Sequence, residues 1–103
     1  MVTAFNNPYL QKIYEGRPVA GKPKYSAEVI LKFKKTVLML QNTDNIKELR
    51  KFRGLNFEAL KGDYKGYFSA RVDLHYRLIL SAEKDSIVLT DILTIEDLTN
   101  HYK

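Results

Sequence analysis

Apolar and polar positions divide the chain into a helical first half and a second half with the two-residue alternation of β-strands. Asn7, Pro8 and the apolar spacing that follows predict a first helix that ends at Gly16. A second helix, capped by Ser26, is predicted from about Ala27 to Gln41. Its buried stripe comprises Val29, Ile30, Phe33, Val37 and Leu40.

A third, short helix is predicted from Asp44 to Phe52, capped by Thr43 or Asp44. Strands follow, separated by turns of glycine and charged residues, and they are Leu55–Leu60, Tyr67–Asp73, Tyr76–Ser81 and about Ser86–Leu93. Thr94-Ile95-Glu96-Asp97 has the form of a capping box that opens a short last helix, ending near residues 101–103. This order predicts an α+β fold with N-terminal helices packed on a small antiparallel sheet.

The strands Tyr67–Asp73 and Tyr76–Ser81 predict a hairpin with one apolar and one polar face. Even-numbered residues are apolar on both strands, so even positions must pair with even positions if both bury the same side. A three-residue loop, residues 72–74, meets this condition and sets Arg71 opposite His75. It also brings Arg71, His75 and Arg77 together on the polar face.

Neighbouring arginines on one sheet face repel each other unless an anion lies between them, and their planar groups suit phosphate oxygens. The alternative is that each arginine has its own carboxylate, for which the candidates are Asp73, Glu58 and Asp91. Glu58 is also a candidate base, since it lies with Lys61 at the end of the preceding strand. A base beside several cations is the arrangement that metal-free RNA cleavage needs. The simpler interpretation of Glu58 is an exposed strand residue paired with a lysine.

Charge is distributed unevenly along the 103 residues, which fit one compact domain. Residues 1–65 contain thirteen Lys or Arg against six Asp or Glu, whereas residues 66–103 contain four against six. The net charge is +5, and 45% of the residues are hydrophobic. The basic first part indicates a polyanionic partner such as nucleic acid, or an ordinary solvated surface rich in lysine.

Several classes of protein are disfavoured by residues and motifs that the sequence lacks. It contains no cysteine, and its two histidines, His75 and His101, are not at ligand spacing, so we expect no metal and no cofactor. Phosphate-binding glycine loops and serine-hydrolase motifs are missing. No apolar run approaches the ~20 residues of a membrane span, and the first residues lack a secretion signal, so we expect a cytoplasmic protein with no membrane partner.

The segment from Glu58 to Val72, followed by Tyr76-Arg77-Leu78, resembles the toxins of type II toxin–antitoxin systems in the RelE superfamily, particularly the HigB branch. Those toxins read L-K-G-D/N, then G-Y-W-S, then W/H-R-L/I. Here Phe68 stands in place of the usual tryptophan. The opening Tyr9–Gly16 is also similar to the L-x-x-L-Y-E-x-G start of the branch.

The resemblance implies a compact fold like that of microbial RNases. It implies a ribosome-dependent endoribonuclease, an mRNA interferase, that cleaves mRNA in the ribosomal A site without metal and leaves a cyclic or 3′ phosphate and a 5′ hydroxyl. The implied partners are mRNA, the ribosome with its rRNA, and a cognate antitoxin with a helix-turn-helix domain. The alternatives are a ParE-like toxin of the same fold that poisons DNA gyrase, and an RNA- or ribosome-binding module with impaired catalysis.

Four residues of the central segment receive roles from this resemblance. Lys61 matches the phosphate-binding lysine of the family, and Arg77 matches the arginine that stabilises the scissile phosphate. Glu58 matches the general base of YoeB-like members, and Arg71 matches their second sheet arginine. The cations expected to contact RNA are Arg71, Lys65, Arg53, Lys51 and Arg50.

His101-Tyr102 resembles the terminal His-Tyr pair of YoeB-like members, in which the histidine is a candidate acid and the tyrosine stacks on a base. The distance from Arg77 to His101 is longer than is usual in the family, which we interpret as an inserted helical turn. Either the tail folds back into the site, or these two residues are a frayed terminus. Weaker candidates, which lie nearer the usual spacing, are Asp91, Glu96 and Asp97.

Overall fold

A computed structural model describes residues 1–84, 87 and 90–101, which form an α+β fold with a mixed sheet. The helices are α1 (Pro8–Glu15), α2 (Ala27–Asn42) and α3 (Ile46–Leu49). The strands are β1 (Val2–Phe5), β2 (Glu58–Ala59), β3 (Phe68–Arg71), β4 (Arg77–Lys84) and β5 (Asp91–Thr99). Short 3₁₀ turns occupy Arg53–Leu55 and Gly62–Tyr64. Within the described part of the chain, no helix is long and apolar enough to cross a membrane.

Local capping residues explain why the first two helices are predicted correctly. The Asn7 side chain accepts a hydrogen bond from the backbone N–H of Leu10, and Gly16 ends α1 with φ +73°, a left-handed conformation that glycine adopts without strain. The Ser26 side chain accepts from the N–H of Val29 at the start of α2. Both helix starts are therefore confirmed.

Strand β1 is absent from the sequence prediction and changes the character of the sheet. The strand order is β1-β5-β4-β3-β2, and β1 runs parallel to β5, with Val2 opposite Ile92. The other neighbouring strands are antiparallel. The prediction of an antiparallel sheet is therefore wrong at this edge, because a four-residue strand that pairs ninety residues away has no local signal.

The short C-terminal helix is a wrong prediction, because residues 91–99 form β5 instead. The Glu96 carboxylate accepts hydrogen bonds from Asn6 Nδ2 at 2.8 Å and from Ser81 Oγ at 2.7 Å. Both partners are distant in sequence, so tertiary contacts override the local capping pattern. The strand predicted from Ser86 to Leu93 overlaps β5 from Asp91, and Ser86, Val88 and Leu89 lie outside the described residues.

Two boundaries in the middle of the chain also differ from prediction. Helix α3 covers only Ile46–Leu49, and its cap is Asn45, whose side chain accepts from the N–H of Glu48. The predicted strand Leu55–Leu60 shrinks to Glu58–Ala59, because residues 53–55 form a 3₁₀ turn. The consequence is a loop that passes beside the end of β3.

The core lies between α2 and one face of the sheet. Helix α2 contributes Phe33, Val37 and Leu40, and the sheet contributes Ala70, Leu78, Leu80, Leu93 and Ile95. The predicted pairing of even with even positions is confirmed, since Ala70 lies opposite Leu78. The odd-numbered face is not uniformly exposed, because Ser69 and Ile79 are buried there. That second face carries the two arginines.

Candidate active site

The hairpin of β3 and β4 brings two arginines face to face. Arg71 pairs with Arg77 across the strands, and the predicted pairing of Arg71 with His75 is wrong. The connection contains five residues, 72–76, instead of three, so His75 lies exposed in the loop. Residues directly opposite each other on antiparallel strands project to the same side, so both guanidinium groups belong to one face.

Asp73 sets the length of this loop. Its Oδ1 accepts hydrogen bonds from the backbone N–H groups of His75, at 2.8 Å, and Tyr76, at 2.7 Å. Desolvation raises the pKa of the Asp73 carboxyl, but these two bonds and the charges of Lys32 and His75 outweigh it, so the pKa lies below its usual value. The carboxylate is therefore used inside the hairpin and not as an arginine partner.

Arg77 is held by neutral acceptors. Its Nε and Nη2 donate to the hydroxyl of Ser69 at 3.0 and 2.8 Å, and Nη2 also donates to the carbonyl oxygen of Asn56 at 2.9 Å. The Arg77 side chain is only 14% exposed, and Ser69 is fully buried. These neutral oxygens fix the direction of the guanidinium without neutralising its charge.

Glu58 lies beside this guanidinium. Its Oε1 is 3.6 Å from Arg77 Nη2, close enough for an ion pair but longer than a good hydrogen bond. The Glu58 side chain is 47% exposed, because β2 is the edge strand and pairs with β3 through Glu58 and Ser69. The carboxylate is thus accessible to a ligand that also contacts Arg77.

The alternative in which each arginine has its own carboxylate holds for Arg77 only. Asp91 accepts a hydrogen bond from the backbone N–H of Ile46 at 2.8 Å, so it secures the start of α3. Across residues 1–84, 87 and 90–101, Arg71 has no ion pair and no side-chain hydrogen bond. Arg71 is therefore the unneutralised member of the pair.

Lys61 and Lys65 lie towards the other end of β2 and β3. Lys61 follows β2 and precedes the 3₁₀ turn Gly62–Tyr64, and both lysines are exposed. Three residues of extended chain separate Lys61 from Glu58, which is about 10 Å along the strand. The fold brings Glu58, Arg71 and Arg77 together and leaves Lys61 and Lys65 as neighbours of that group.

Three further cations lie on the segment after α3. Arg50 lies over the ring of Phe57, 5.7 Å from its centroid, and Lys51 forms an ion pair of 3.1 Å with Glu48. Arg53 opens the 3₁₀ turn that passes beside β3. All three cations are exposed.

Strand β5 ends beside Arg77. Thr99 lies opposite Arg77 in the register of β4 and β5, and the N–H of His101 donates to Thr99 Oγ1 at 3.0 Å. The longer spacing before His101 thus reflects a strand and not an inserted helical turn. His101 is exposed, and Tyr102 lies outside the described residues.

Two other C-terminal residues were weaker candidates for the reaction. Glu96 has the structural contacts given above, and Asp97 forms a hydrogen bond within its own strand. Asp97 Oδ1 accepts from the N–H of Leu98 at 2.8 Å. The carbonyl of Leu98 in turn accepts from the hydroxyl of Tyr25 at 2.7 Å. Burial, followed by the charge of Asp97, raises the pKa of Tyr25 to about 12.

Sequence reasoning gave no role to Ser69 or Asn56, the two groups that orient Arg77. Ser69 carries a usable signal, because its odd number places it on the arginine face. Asn56 has φ +44°, a left-handed conformation that asparagine tolerates better than most residues. In the sequence, only the nearby Gly54 hints at a turn around Asn56.

Together these groups have the chemistry that an anion with several oxygens would need. One carboxylate can accept a proton, and two guanidinium groups can bind oxygen atoms around one phosphorus. Among the described residues, no cluster of three or more His, Asp or Glu side chains is arranged to hold a metal ion.

Comparison with known proteins supports one family. A family model described as the RelE-like toxin of the type II toxin–antitoxin system HigB matches residues 3–93. A YoeB/ParE toxin from Agrobacterium tumefaciens shares 15% identity with a TM-score of 0.56, covering 99% of this chain and 100% of that one. YafQ from E. coli strain BL21(DE3) shares 15% identity with a TM-score of 0.57, covering 96% and 91%. A search of curated proteins found no match.

Proposed function

The chain belongs to the HigB-like family of RelE-like toxins from type II toxin–antitoxin systems, and on this premise we propose that it is a ribosome-dependent endoribonuclease. It cleaves mRNA in the ribosomal A site without a metal ion and is neutralised by a cognate helix-turn-helix antitoxin. The observation that carries the proposal is the fixed guanidinium of Arg77, opposite Arg71 and 3.6 Å from Glu58.

The proposed reaction begins at a ribose 2′-hydroxyl of the mRNA. Glu58 accepts the proton of that hydroxyl, and the 2′ oxygen attacks the adjacent phosphorus. A bond forms between the 2′ oxygen and phosphorus, and the bond from phosphorus to the 5′ oxygen breaks. The products are a 2′,3′-cyclic phosphate and a 5′ hydroxyl.

Arg77 and Arg71 stabilise the negative charge that grows on the phosphate oxygens during attack. Ser69 and Asn56 already orient Arg77, so its reorganisation during the reaction is small. Arg71 carries an unneutralised charge beside it. This pre-arranged positive charge is the largest contribution that the site makes to the proposed cleavage.

The leaving 5′ oxygen needs a proton, for which His101 is our candidate acid. The register that sets Thr99 opposite Arg77 supports this, because the chain then leaves β5 next to Arg77, which would bind the scissile phosphate. By the family resemblance, Tyr102 would stack on a base. Lys61 and Lys65 would contact neighbouring phosphates of the RNA. Arg50, Lys51 and Arg53, on the segment after α3, would do the same.

Gyrase poisoning by a ParE-like mechanism is the competing activity, and it gives Glu58 and Arg77 no chemical role. The test is to map transcript 5′ ends after induced expression of the wild type, Arg77→Ala and Arg17→Ala. Arg17 is a suitable control because it is an exposed arginine paired with Glu15. We expect 5′-hydroxyl ends in translated codons for the wild type and Arg17→Ala.

Arg77→Ala should reduce cleavage by about 10²–10³-fold, the usual cost of removing one oxyanion-stabilising group. Purified ribosomes with a defined mRNA then test the ribosome dependence directly. DNA damage with intact transcripts would refute the endonuclease and favour gyrase poisoning. Arrested translation with intact transcripts would refute it in favour of a binding module.

A further inference from the structure

The last part of β5 has a neighbouring strand on one side only. Strand β1 pairs with β5 as far as Ile95, whereas β4 continues to Thr99. The register of β4 and β5 shifts between Ile95 and Asp97, which leaves Glu96 as an extra residue on β5. An extra residue of this kind bends its strand and interrupts the regular pairing. The end of β5 therefore needs support from outside the sheet.

Two side chains bond to the backbone of this part of β5. Asn7 donates from Nδ2 to the carbonyl oxygen of Glu96 at 3.3 Å. The hydroxyl of Tyr25 donates to the carbonyl oxygen of Leu98 at 2.7 Å. The second bond is shorter and lies nearer the end of the strand. A backbone carbonyl in a partly buried position needs such a partner, so Tyr25 supports the end of β5.

Tyr25 is itself held in place. Its ring packs edge-on against the ring of Tyr76, with 5.7 Å between the centroids, and lies 6.3 Å from the ring of Tyr9. The backbone N–H of Lys24 donates to the Tyr9 hydroxyl at 3.1 Å, and Ser26 caps α2 on the other side. Residues on both sides of Tyr25 are thus anchored, and its hydroxyl has a defined position.

Both contacts of Tyr25 lie next to residues of the candidate site. Tyr76 precedes Arg77, Leu98 precedes Thr99, and Arg77 lies opposite Thr99 in the sheet. Tyr25 packs against the core between α2 and the sheet, whereas Arg77 belongs to the other face. Tyr25 therefore cannot touch an anion bound by Arg77, and it acts on the site only through the strands that it contacts.

His101 depends on the end of β5 for its position. Its backbone N–H donates to Thr99 Oγ1 at 3.0 Å, and its side chain is exposed. Across residues 1–84, 87 and 90–101, no ion pair or side-chain hydrogen bond secures its imidazole ring. Leu98 is three residues earlier, a span of about 10 Å at most. The reach of the imidazole is therefore set by where β5 ends.

We propose that Tyr25 is a positioning residue for the candidate acid His101. Its hydroxyl holds Leu98, so that the chain leaves β5 beside Arg77 and the imidazole reaches the leaving 5′ oxygen. Without this bond the end of β5 moves more freely, and the imidazole spends less time at that oxygen. The role rests on the proposed endonuclease function, because an acid is needed only where a 5′ oxygen leaves.

The test compares two RNA substrates that differ in one atom. The first has the natural 5′ oxygen as leaving atom, and the second has sulfur in its place, at the cleavage site that 5′-end mapping identifies. A thiol has a pKa of about 8.5, far below that of an alcohol, so the sulfur leaves as a thiolate without an acid. Single-turnover cleavage on programmed ribosomes gives the rate for each substrate.

His101→Gln removes the proposed acid. We expect it to cleave the oxygen substrate about 10²-fold more slowly than the wild type, and the sulfur substrate within about twofold of it.

Tyr25→Phe keeps the ring and removes the bond to Leu98. We expect a loss of about tenfold on the oxygen substrate, the factor that corresponds to one hydrogen bond, and less than about twofold on the sulfur substrate. The double variant Tyr25→Phe/His101→Gln should be no slower than His101→Gln alone, because Tyr25 acts through His101.

Tyr14→Phe is the matched control. It also removes one tyrosine hydroxyl, whose hydrogen bond goes to the side chain of Gln41 and not to β5. Its rates on both substrates should stay within about twofold of the wild type. Thermal unfolding of each variant verifies that it is folded at the assay temperature.

Each other outcome contradicts a stated part of the proposal. Equal losses on both substrates would show that Tyr25→Phe has a general structural effect, and an unchanged rate on the oxygen substrate would show no effect; either overturns the positioning role. If His101→Gln does not distinguish the substrates, His101 is not the acid and the role fails with it.

A wild type that cleaves neither substrate would refute the endonuclease itself. Hydrogen exchange of the backbone N–H of His101 then still decides whether Tyr25 holds the end of β5. We expect this exchange to be faster in Tyr25→Phe than in the wild type and Tyr14→Phe. Equal exchange in all three proteins would refute the structural part of the proposal as well.

Discussion

The buried hydroxyl of Ser69 accepts two hydrogen bonds from the guanidinium of Arg77, at 3.0 and 2.8 Å. The pairing lies diagonally across β3 and β4, so the regular backbone of the sheet sets the direction of the arginine. A side chain held in this way needs little rearrangement when an anion arrives.

Ser69→Ala removes that support. We expect RNA cleavage to fall about tenfold and the free energy of unfolding to fall by about 1–2 kcal/mol. The double variant Ser69→Ala/Arg77→Ala should cleave no more slowly than Arg77→Ala alone, because Ser69 acts through Arg77. Single-turnover cleavage assays on all three variants measure this. Additive losses would show that Ser69 contributes independently of Arg77.

Arg71→Ala relieves the repulsion between two directly opposed cations. The free protein should become slightly more stable, by up to about 1 kcal/mol, since like charges opposite each other destabilise a sheet. Inorganic phosphate should raise the Tm of the wild type more than that of Arg71→Ala, because the anion binds between the arginines. Thermal unfolding with and without phosphate at constant ionic strength tests both effects. Arg17→Ala is the control and should respond to phosphate as the wild type does.

The raised pKa of Tyr25 predicts that the stability of the fold depends on pH in the alkaline range. Its pKa is raised from 10.0 to about 12, so the unfolded chain loses this proton first as pH rises. The stabilisation from Tyr25 is therefore complete below pH 10 and is lost as pH rises through 12. The difference in unfolding free energy between the wild type and Tyr25→Phe should shrink over this interval. A difference that stays constant with pH would contradict the assignment.

Tyr14→Phe is the matched control for this measurement. The Tyr14 hydroxyl also donates one hydrogen bond, to Gln41 Oε1 at 3.0 Å, but its partner is a side chain of α2 and not the backbone of β5. Subtracting its profile separates the contribution of Tyr25 from the general titration of tyrosines and lysines.

Glu96→Ala should lower the free energy of unfolding by about 2–3 kcal/mol, because it leaves Asn6 and Ser81 without their shared acceptor. Cleavage per folded molecule should be unchanged, since Glu96 is used in the structure and not in the reaction. Urea unfolding followed by activity assays at matched folded fraction measures both quantities. Glu83→Ala, an exposed change on β4, serves as the control.

Predictions from the sequence succeeded where the signal is local. Caps at Asn7 and Ser26 fix the starts of α1 and α2, and the alternation in β3 and β4 gives the correct faces. Arg71 and Arg77 were placed on one face for that reason, although the loop between their strands was two residues too short. Periodicity specifies which face a residue occupies, but a side-chain contact such as that of Asp73 sets the register.

The rest depended on contacts between distant residues. The capping pattern at Thr94 favours a helix, but pairing with β1 and β4 on both sides gives a strand. Asn56 orients Arg77 through its backbone carbonyl, a role that any residue type could fill. Neither feature can be read from the residues nearby.

The parallel pairing of β1 with β5 also has a kinetic consequence. Val2 contacts a partner ninety residues later, so the edge of the sheet forms only by closing a very long loop. Strand β4, which carries Arg77, also pairs with β5 along one side, so this pairing forms only after β5 has been made. Topologies dominated by such distant pairings fold slowly. During synthesis, the sheet around Arg77 therefore remains incomplete until nearly the whole chain has left the ribosome.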